Sequence, residues 1–286
     1  MLPYFLGCPS WREPGWRGAL YPPDATSQRF LQLYAQCFNA VEGNTTFYAE
    51  PAPATVARWA AQMPEHFRFC AKLPRTISHS DNLIVQLPAA EAFLQLLAPL
   101  GARVTPLWLQ LPASFGPARL AELSGFLREL ARPLAVEVRH PAFFARAEEE
   151  RQLNRLLRDL AVERICLDAR PLFSCVSDAP AVRHAQAKKP HLPLRPTAFS
   201  DCPQLRFVGH PELAANDVFL APWVAKVAEW IEAGLAPYVF IHTPDNHLAP
   251  QLAWHFHLQL QVRLPGLADL AWPDWESAAV NQLALL

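Results

Sequence analysis

The sequence predicts an α/β fold, a single (β/α)8 barrel of the TIM type with a long loop after the sixth strand. Three observations carry that expectation. Eight short apolar runs alternate with helical patterns along the chain. Most of those runs are apolar on both faces, as strands of a parallel sheet covered by helical crossovers are. The rival, a doubly wound open sheet, lacks its usual cue, a G-x-G-x-x-G turn after the first strand. The 286 residues fit one barrel of ordinary size, so residues 1–286 are read as a single domain.

Each element follows from its local pattern. Residues 4–8 form the first strand and run into a Trp-, Arg- and Gly-rich loop closed by Pro22-Pro23. A helix over 28–38 leads to a second strand at 40–44, in which Glu42, Asn44 and, beyond it, Thr46 alternate onto one face. The helix at 55–63 stops before Pro64. The third strand, 67–72, precedes a polar loop and a helix near 89–97. The fourth strand, 107–111, is followed by a helix at 117–130, and the fifth, 134–139, by a charged amphipathic helix at 148–160. Strand six covers 164–168. The irregular segment 169–203 comes next, with a short helix expected near 179–188 and a position at the C-terminal ends of the strands. Strand seven is 205–208, and its helix, 217–233, ends at Gly234. Strand eight is 238–242 and the last helix 251–263; Trp272-Pro273-Asp274-Trp275 reads as a packing strap.

Composition narrows the function. A formal net charge of −1 gives no overall pull toward nucleic acid or an anionic membrane. Twenty-nine prolines and only 10 glycines leave neither common phosphate-cradling loop. The six cysteines form no C-x-x-C pair and read as core thiols. The N-terminus has no basic region followed by an apolar one, and no apolar stretch reads as a membrane span, so a cytoplasmic, reduced protein is expected.

The ends of the strands carry the chemistry. Barrels of this type place functional groups at the C-terminal strand ends. Here those positions hold Ser10, Glu42, Asn44, Lys72, Gln110, Glu137, Arg139, Asp168, Arg206 and His242. Glu137 and Arg139 are two apart and share a face, as do Cys166 and Asp168. Three acids (Glu42, Glu137, Asp168) then face three bases (Lys72, Arg139, Arg206). Such charges persist in a buried setting only when hydrogen-bonded to one another. The lattice is expected to bind a polar, oxygen-rich or anionic ligand and to supply acid–base groups.

The runs that carry these residues resemble a known family. Trp11 to Pro22, Phe38 to Tyr48, Phe67 to Lys72 with Ile77-Ser78-His79, Trp108-Leu109-Gln110-Leu111-Pro112 and Ala135 to His140 are similar to the YecE-like family, domain of unknown function seventy-two. The resemblance spans nearly the whole chain. It implies a TIM-barrel-type fold and no established activity. Thr46, by its parity with Glu42 and Asn44, and Trp11, Tyr48 and His79 complete the residues expected around a ligand. A likeness of the family's fold to endonuclease-IV-type barrels suggests DNA binding by fold analogy alone. The chain departs from the family at His242-Thr243, where many members read Asn-Asn. It departs again at Arg206-Phe207-Val208-Gly209-His210, where many read Arg-x-His-Gly.

Sharper chemistries can be weighed. No H-E-x-x-H spacing exists, and His255 and His257 diverge on their helix, so no metal and no cofactor is expected. Glycosidase chemistry needs one protonated carboxylate. Arg139 would keep Glu137 ionised, which leaves Glu42 as the better general acid or base. No G-x-S-x-G elbow surrounds Ser10. The expected function is therefore an enzyme, a hydrolase or another acid–base catalyst, with Glu42, Glu137 and Asp168 catalytic. Its ligand is small and polar or phosphorylated. The alternative is a nucleic-acid-binding protein that uses the same strand ends and the basic segment 183–195. No membrane partner is expected.

Overall fold

The computed structural model describes residues 2–273. Among them lie nine strand segments: β1 (Phe5–Gly7), β2 (Ala40–Gly43), β3 (Arg68–Ala71), β4 (Leu107–Gln110), β5 (Leu134–Glu137), β6 (Glu163–Arg164), β7 (Cys166–Asp168), β8 (Gln204–Val208) and β9 (Tyr238–His242). β6 and β7 are the sixth expected strand, interrupted at Ile165, whose N–H still donates to the Val136 carbonyl at 2.9 Å. The fold is mixed α/β with parallel sheets. One sheet orders β1-β9-β8-β7, a second pairs β2 with β3, and a third orders β4-β5-β6. Every pairing is parallel.

The sheets meet through isolated bonds. The Glu42 N–H donates to the Cys8 carbonyl at 3.1 Å, and Leu73 N–H to the Trp108 carbonyl at 2.9 Å. Side chains complete the contact between β1 and β2. Asn39 presents its amide oxygen to Leu6 N–H at 2.7 Å and its amide nitrogen to the Tyr4 carbonyl at 2.8 Å. The Tyr34 hydroxyl accepts from Cys8 N–H at 2.6 Å and donates to the Ala40 carbonyl at 2.9 Å. Buried backbone groups need partners, and these two side chains supply them where the ladder does not. Gly7 permits the approach: a Cβ there would lie 2.0 Å from the Ala40 oxygen.

The helices match the expected series: Phe30–Cys37, Pro53–Gln62, Leu87–Leu97, Leu120–Leu130, Glu148–Asp159, Asp217–Glu232 and Ala249–Arg263. They cover an outer core that includes Val41, Phe69, Leu109, Val136, Phe207 and Val239. The alternate strand residues Ala40, Cys70, Trp108, Ala135, Ile165, Tyr238 and Phe240 form a separate inner cluster. A period of two thus sorts each strand between two apolar layers. Ile84–Arg103 is helical and, by length and composition alone, long and apolar enough to cross a bilayer. It is built of three pieces, breaks at Gly101 with φ 58°, and sends Ala90, Phe93, Leu97 and Leu100 into the outer core.

The strand-six crossover is different. Helices Arg170–Ser174 and Pro180–Lys188 follow β7, the second close to the expected short helix. They pack with Leu167 and Val208 in a small cluster at the C-terminal ends of β7 and β8, the end expected for this loop. Residues 190–203 then run back along strand six without forming a helix. Arg195 donates to Glu150 at 2.7 Å, Thr197 to the Arg164 carbonyl at 3.2 Å, and Phe199 and Ser200 N–H to Glu163, each at 3.0 Å. At the far end, Trp272 stacks on Trp254 with centroids 5.3 Å apart. Asp274 and Trp275 of the expected strap lie outside the described residues.

Candidate functional site

Two residues beyond the inner apolar cluster, the same strand faces turn polar. Ala40 is followed by Glu42, Cys70 by Lys72, Trp108 by Gln110, Ala135 by Glu137 and Phe240 by His242, and on β8 the buried amide Gln204 is followed by Arg206. Pleating puts these side chains in one layer. Trp108 is its floor: Lys72 Nζ lies 5.2 Å and Arg206 Cζ 5.5 Å from its ring centroid. Its indole N–H donates to Gln204 Oε1 at 3.2 Å.

Glu42 is the hub. Lys72 donates to its Oε1 at 2.7 Å, and Arg206 donates through Nη2 to Oε1 at 2.7 Å and through Nε to Oε2 at 3.0 Å. His242 Nε2 donates to Oε2 at 2.7 Å. Burial alone would raise the pKa of Glu42, but Arg206, Lys72 and His242 together hold it well below the carboxylate range. The third Arg206 nitrogen, Nη1, donates to Glu137 Oε2, while Arg139 grips Oε1 at 2.6 Å. Glu137 is likewise lowered: burial opposes, and Arg206, Arg139 and Lys72 prevail. Lys72 also donates to Asn44 Oδ1 at 2.7 Å and Gln110 Oε1 at 3.2 Å. Burial, reinforced by Arg206, brings the Lys72 pKa down to about 8, against the pull of the two glutamates. Burial takes His242 down to about 3, so its imidazole is neutral, and its bond to Glu42 fixes the proton on Nε2.

Glu42, Lys72, Gln110, Glu137, Arg139, Arg206, Asn44 and His242 therefore converge as expected. Others do not. Asp168 leaves the lattice: Ile165 belongs to the inner cluster and Cys166 to the outer core, so Asp168 shares the helix-facing side. Its carboxylate accepts from Trp223 Nε1 at 2.7 Å and from Arg170 at 2.7 and 2.9 Å. β2 ends at Gly43, and Asn44 is already helical at φ −64° and ψ −30°, so the expected extended run to Thr46 does not form. The Thr46 hydroxyl instead contacts the Gly43 carbonyl at 2.9 Å and the Lys72 carbonyl at 2.7 Å, clamping β2 to β3. Trp11 is buried against Trp59 and Phe69, and Ser10 accepts from Arg12 N–H in its own loop. Tyr48 is 76% exposed. His79 meets Phe47 edge-on, and burial, then Arg75 and Arg139, lower its pKa, which puts it beside the Arg139 end of the lattice. His210 caps its own loop, accepting from Glu212 N–H at 3.0 Å.

Sequence reasoning missed Lys189. It follows helix Pro180–Lys188 and is partly buried. Burial lowers its pKa to about 7; Arg206 and Lys72 add to the shift, and Glu42 and Glu137 oppose it. Its only sequence signal was membership of a basic run. That run does not form one surface. Arg183 pairs with Asp178 and Arg195 with Glu150. Among the described residues no group of three His, Cys, Asp or Glu side chains is placed to hold a metal ion.

Comparison with known proteins places this geometry in a family. The family described as "Protein of unknown function DUF72" matches residues 5–275. The UPF0759 protein YecE of Escherichia coli K12 is 41% identical over 263 residues, covering 91% of this chain and 94% of that protein. The UPF0759 protein YunF of Bacillus subtilis 168 is 32% identical over 68 residues, 24% of this chain and 23% of its own length. A crystal structure of a DUF72 family protein from Enterococcus faecalis V583 superposes with a TM-score of 0.65 at 20% identity. The match covers 95% of this chain and 98% of that one. The chain belongs to the DUF72 family.

Proposed function

We propose that the strand ends bind a small anionic or phosphorylated molecule, and that the chain is an enzyme acting on it by acid–base chemistry. The observation that carries this reading is an excess of positive charge in one buried layer. Glu42 and Glu137 face Lys72, Arg139 and Arg206. A lattice built only for stability would be expected to balance, because unpaired buried charge is costly. Arg139 keeps about a fifth of its side chain exposed, so the excess faces the open side. The two carboxylates, held ionised and fully engaged, position the cations better than they would donate protons.

The reading includes closure of the three sheets into one eight-stranded TIM-type ring and a single domain. The bonds from Glu42 to Cys8 and from Leu73 to Trp108 span the gaps between sheets, and β6 and β7 count as one strand. The free thiols, five of them buried, fit a reducing cytoplasm.

Calorimetric titration with inorganic phosphate tests the site. The wild type is expected to bind, and Arg139→Met to bind at least about tenfold more weakly, the effect of one charge-assisted contact. No binding to the wild type, or equal binding by the variant, overturns the reading. Nucleic-acid binding at the same place would instead show a steep loss of DNA or RNA affinity with salt.

A further inference from the structure

Trp11 and Arg12 follow β1, yet neither joins the strand-end layer. Trp11 packs on Trp59 and on Phe69 of the outer core, which turns it toward the helices outside the strands. There, between helices Phe30–Cys37 and Pro53–Gln62, lies a cavity of about 430 Å³. Thr55, Arg58 and Trp59 line it from one helix, on one face at a spacing of three and four. Ser27, Gln28 and Leu31 line it from the start of the other, and Arg12 lines it from the loop. Gln62 Nε2 donates to the Gln28 carbonyl at 2.9 Å and ties the two helical walls together. The loop is fixed as well. The Tyr21 hydroxyl donates to the Trp11 carbonyl at 2.6 Å, and Arg12 N–H to Ser10 Oγ at 2.9 Å. A ligand therefore meets walls and a loop that are already ordered, which lowers the cost of binding.

The charge of this cavity is one-sided. Arg12 and Arg58 line it, and no carboxylate does. Among the described residues neither guanidinium forms an ion pair; Arg58 Nη2 donates to Thr55 Oγ1 at 3.2 Å. A lone surface arginine needs no partner, because water solvates it. Two in one concavity are different, since low-dielectric walls focus their field on an anion. The planar guanidinium fork matches the oxygens of a phosphate. Beside the cations stand the Ser27 hydroxyl and the Gln28 amide, whose side chains make no hydrogen bond among the described residues. Leu31 and the small exposed parts of Trp11 and Trp59 add an apolar floor. Uncommitted hydroxyl and amide groups over such a floor suit the hydroxyls and C–H groups of a sugar, and the volume is that of a small-molecule site. We propose that this groove binds a phosphorylated sugar, with the phosphate on Arg12 and Arg58 and the hydroxyls on Ser27 and Gln28. The groove is separate from the strand-end layer and does not depend on the reading of it.

The test is calorimetric titration of the full chain with glucose 6-phosphate. Arg139→Met serves as the background, so that any binding at the strand ends is weakened. That protein is expected to bind the ester. Adding Arg58→Gln, or separately Arg12→Gln, should weaken binding by about tenfold or more, the effect of one charge-assisted contact. Both arginines are exposed, so the variants should keep the parent's circular dichroism. Inorganic phosphate and glucose, each offering half of the ligand, are expected to bind the groove at least about tenfold more weakly than the ester. In the otherwise wild-type chain, Arg58→Gln should leave the Arg139-dependent binding of inorganic phosphate unchanged. No binding of glucose 6-phosphate by Arg139→Met overturns the proposal, as does equal binding after both Arg58→Gln and Arg12→Gln. Inorganic phosphate binding as tightly as the ester overturns the assignment of a sugar. None of these outcomes bears on the strand-end site, which stands or falls on Arg139→Met with inorganic phosphate.

Discussion

Glu42 accepts four hydrogen bonds from three side chains, so its removal strands two buried cations. Glu42→Gln is expected to cost about 3–5 kcal/mol in urea unfolding, because the cations lose their compensation. Removing Arg206 as well, by Arg206→Met, should restore part of that loss. The pH response follows from the same groups. The folded pKa of His242, about 3, is below its ordinary 6.5, so its contribution is complete above 6.5 and is lost as pH falls toward 3. Glu42 and Glu137 are lowered too, so their contribution is lost as pH drops below 4.5. Glu163 acts oppositely. Burial, over its hydrogen bonds, raises it to about 7, so its contribution fades as pH rises from 4.5 through 7. His242→Asn should flatten the acid-side loss of stability between pH 6.5 and 4.5, and Glu163→Gln should steepen it, in urea midpoints measured across that range. The glutamate, lysine and arginine members were legible in the sequence because period-two spacing and strand ends are both local features. Asp168 was misplaced because Arg164, Cys166 and Asp168 put polar or small residues on the same parity, and its partner Trp223 lies 55 residues away.

At the level of elements, the junction of β1 and β2 rests on three residues. Asn39 and Tyr34 stand in for missing ladder bonds, and Gly7 lets the strands approach. Gly7→Ala sets a methyl group against backbone oxygen, which cannot rotate away. A loss of about 3 kcal/mol or more is expected in chemical denaturation; a loss under 1 kcal/mol would mean the strands can part without penalty. The helices and strands were readable because their apolar periods and proline boundaries are encoded within each run. The segment 190–203 was not. It has no period, and its extended path is set by Arg195, Thr197 and the N–H groups of Phe199 and Ser200 bonding to residues far back in sequence. Lys189 was missed for the same reason, since its placement depends on where a short helix stops rather than on any pattern around it.

For the molecule as a whole, the question is whether three sheets behave as one body. The outer core joins residues from β1 to the last helix, including Leu6, Phe69, Val136, Phe207 and Phe256. Shared burial of that kind couples the sheets, so heat or urea should unfold them in a single step. Far-ultraviolet circular dichroism and tryptophan emission are expected to give the same midpoint; two separated midpoints would mean independent units. Among the buried indoles, Trp108 has a property of its own. Lys72 and Arg206 lie over its ring and Gln204 receives its N–H, so its electronic environment is set by the charges of the strand-end layer. An anion that draws either cation away from the ring changes the field on the excited indole. If the strand ends bind an anion, the emission of Trp108 is expected to shift as phosphate is added, an optical readout that needs no label.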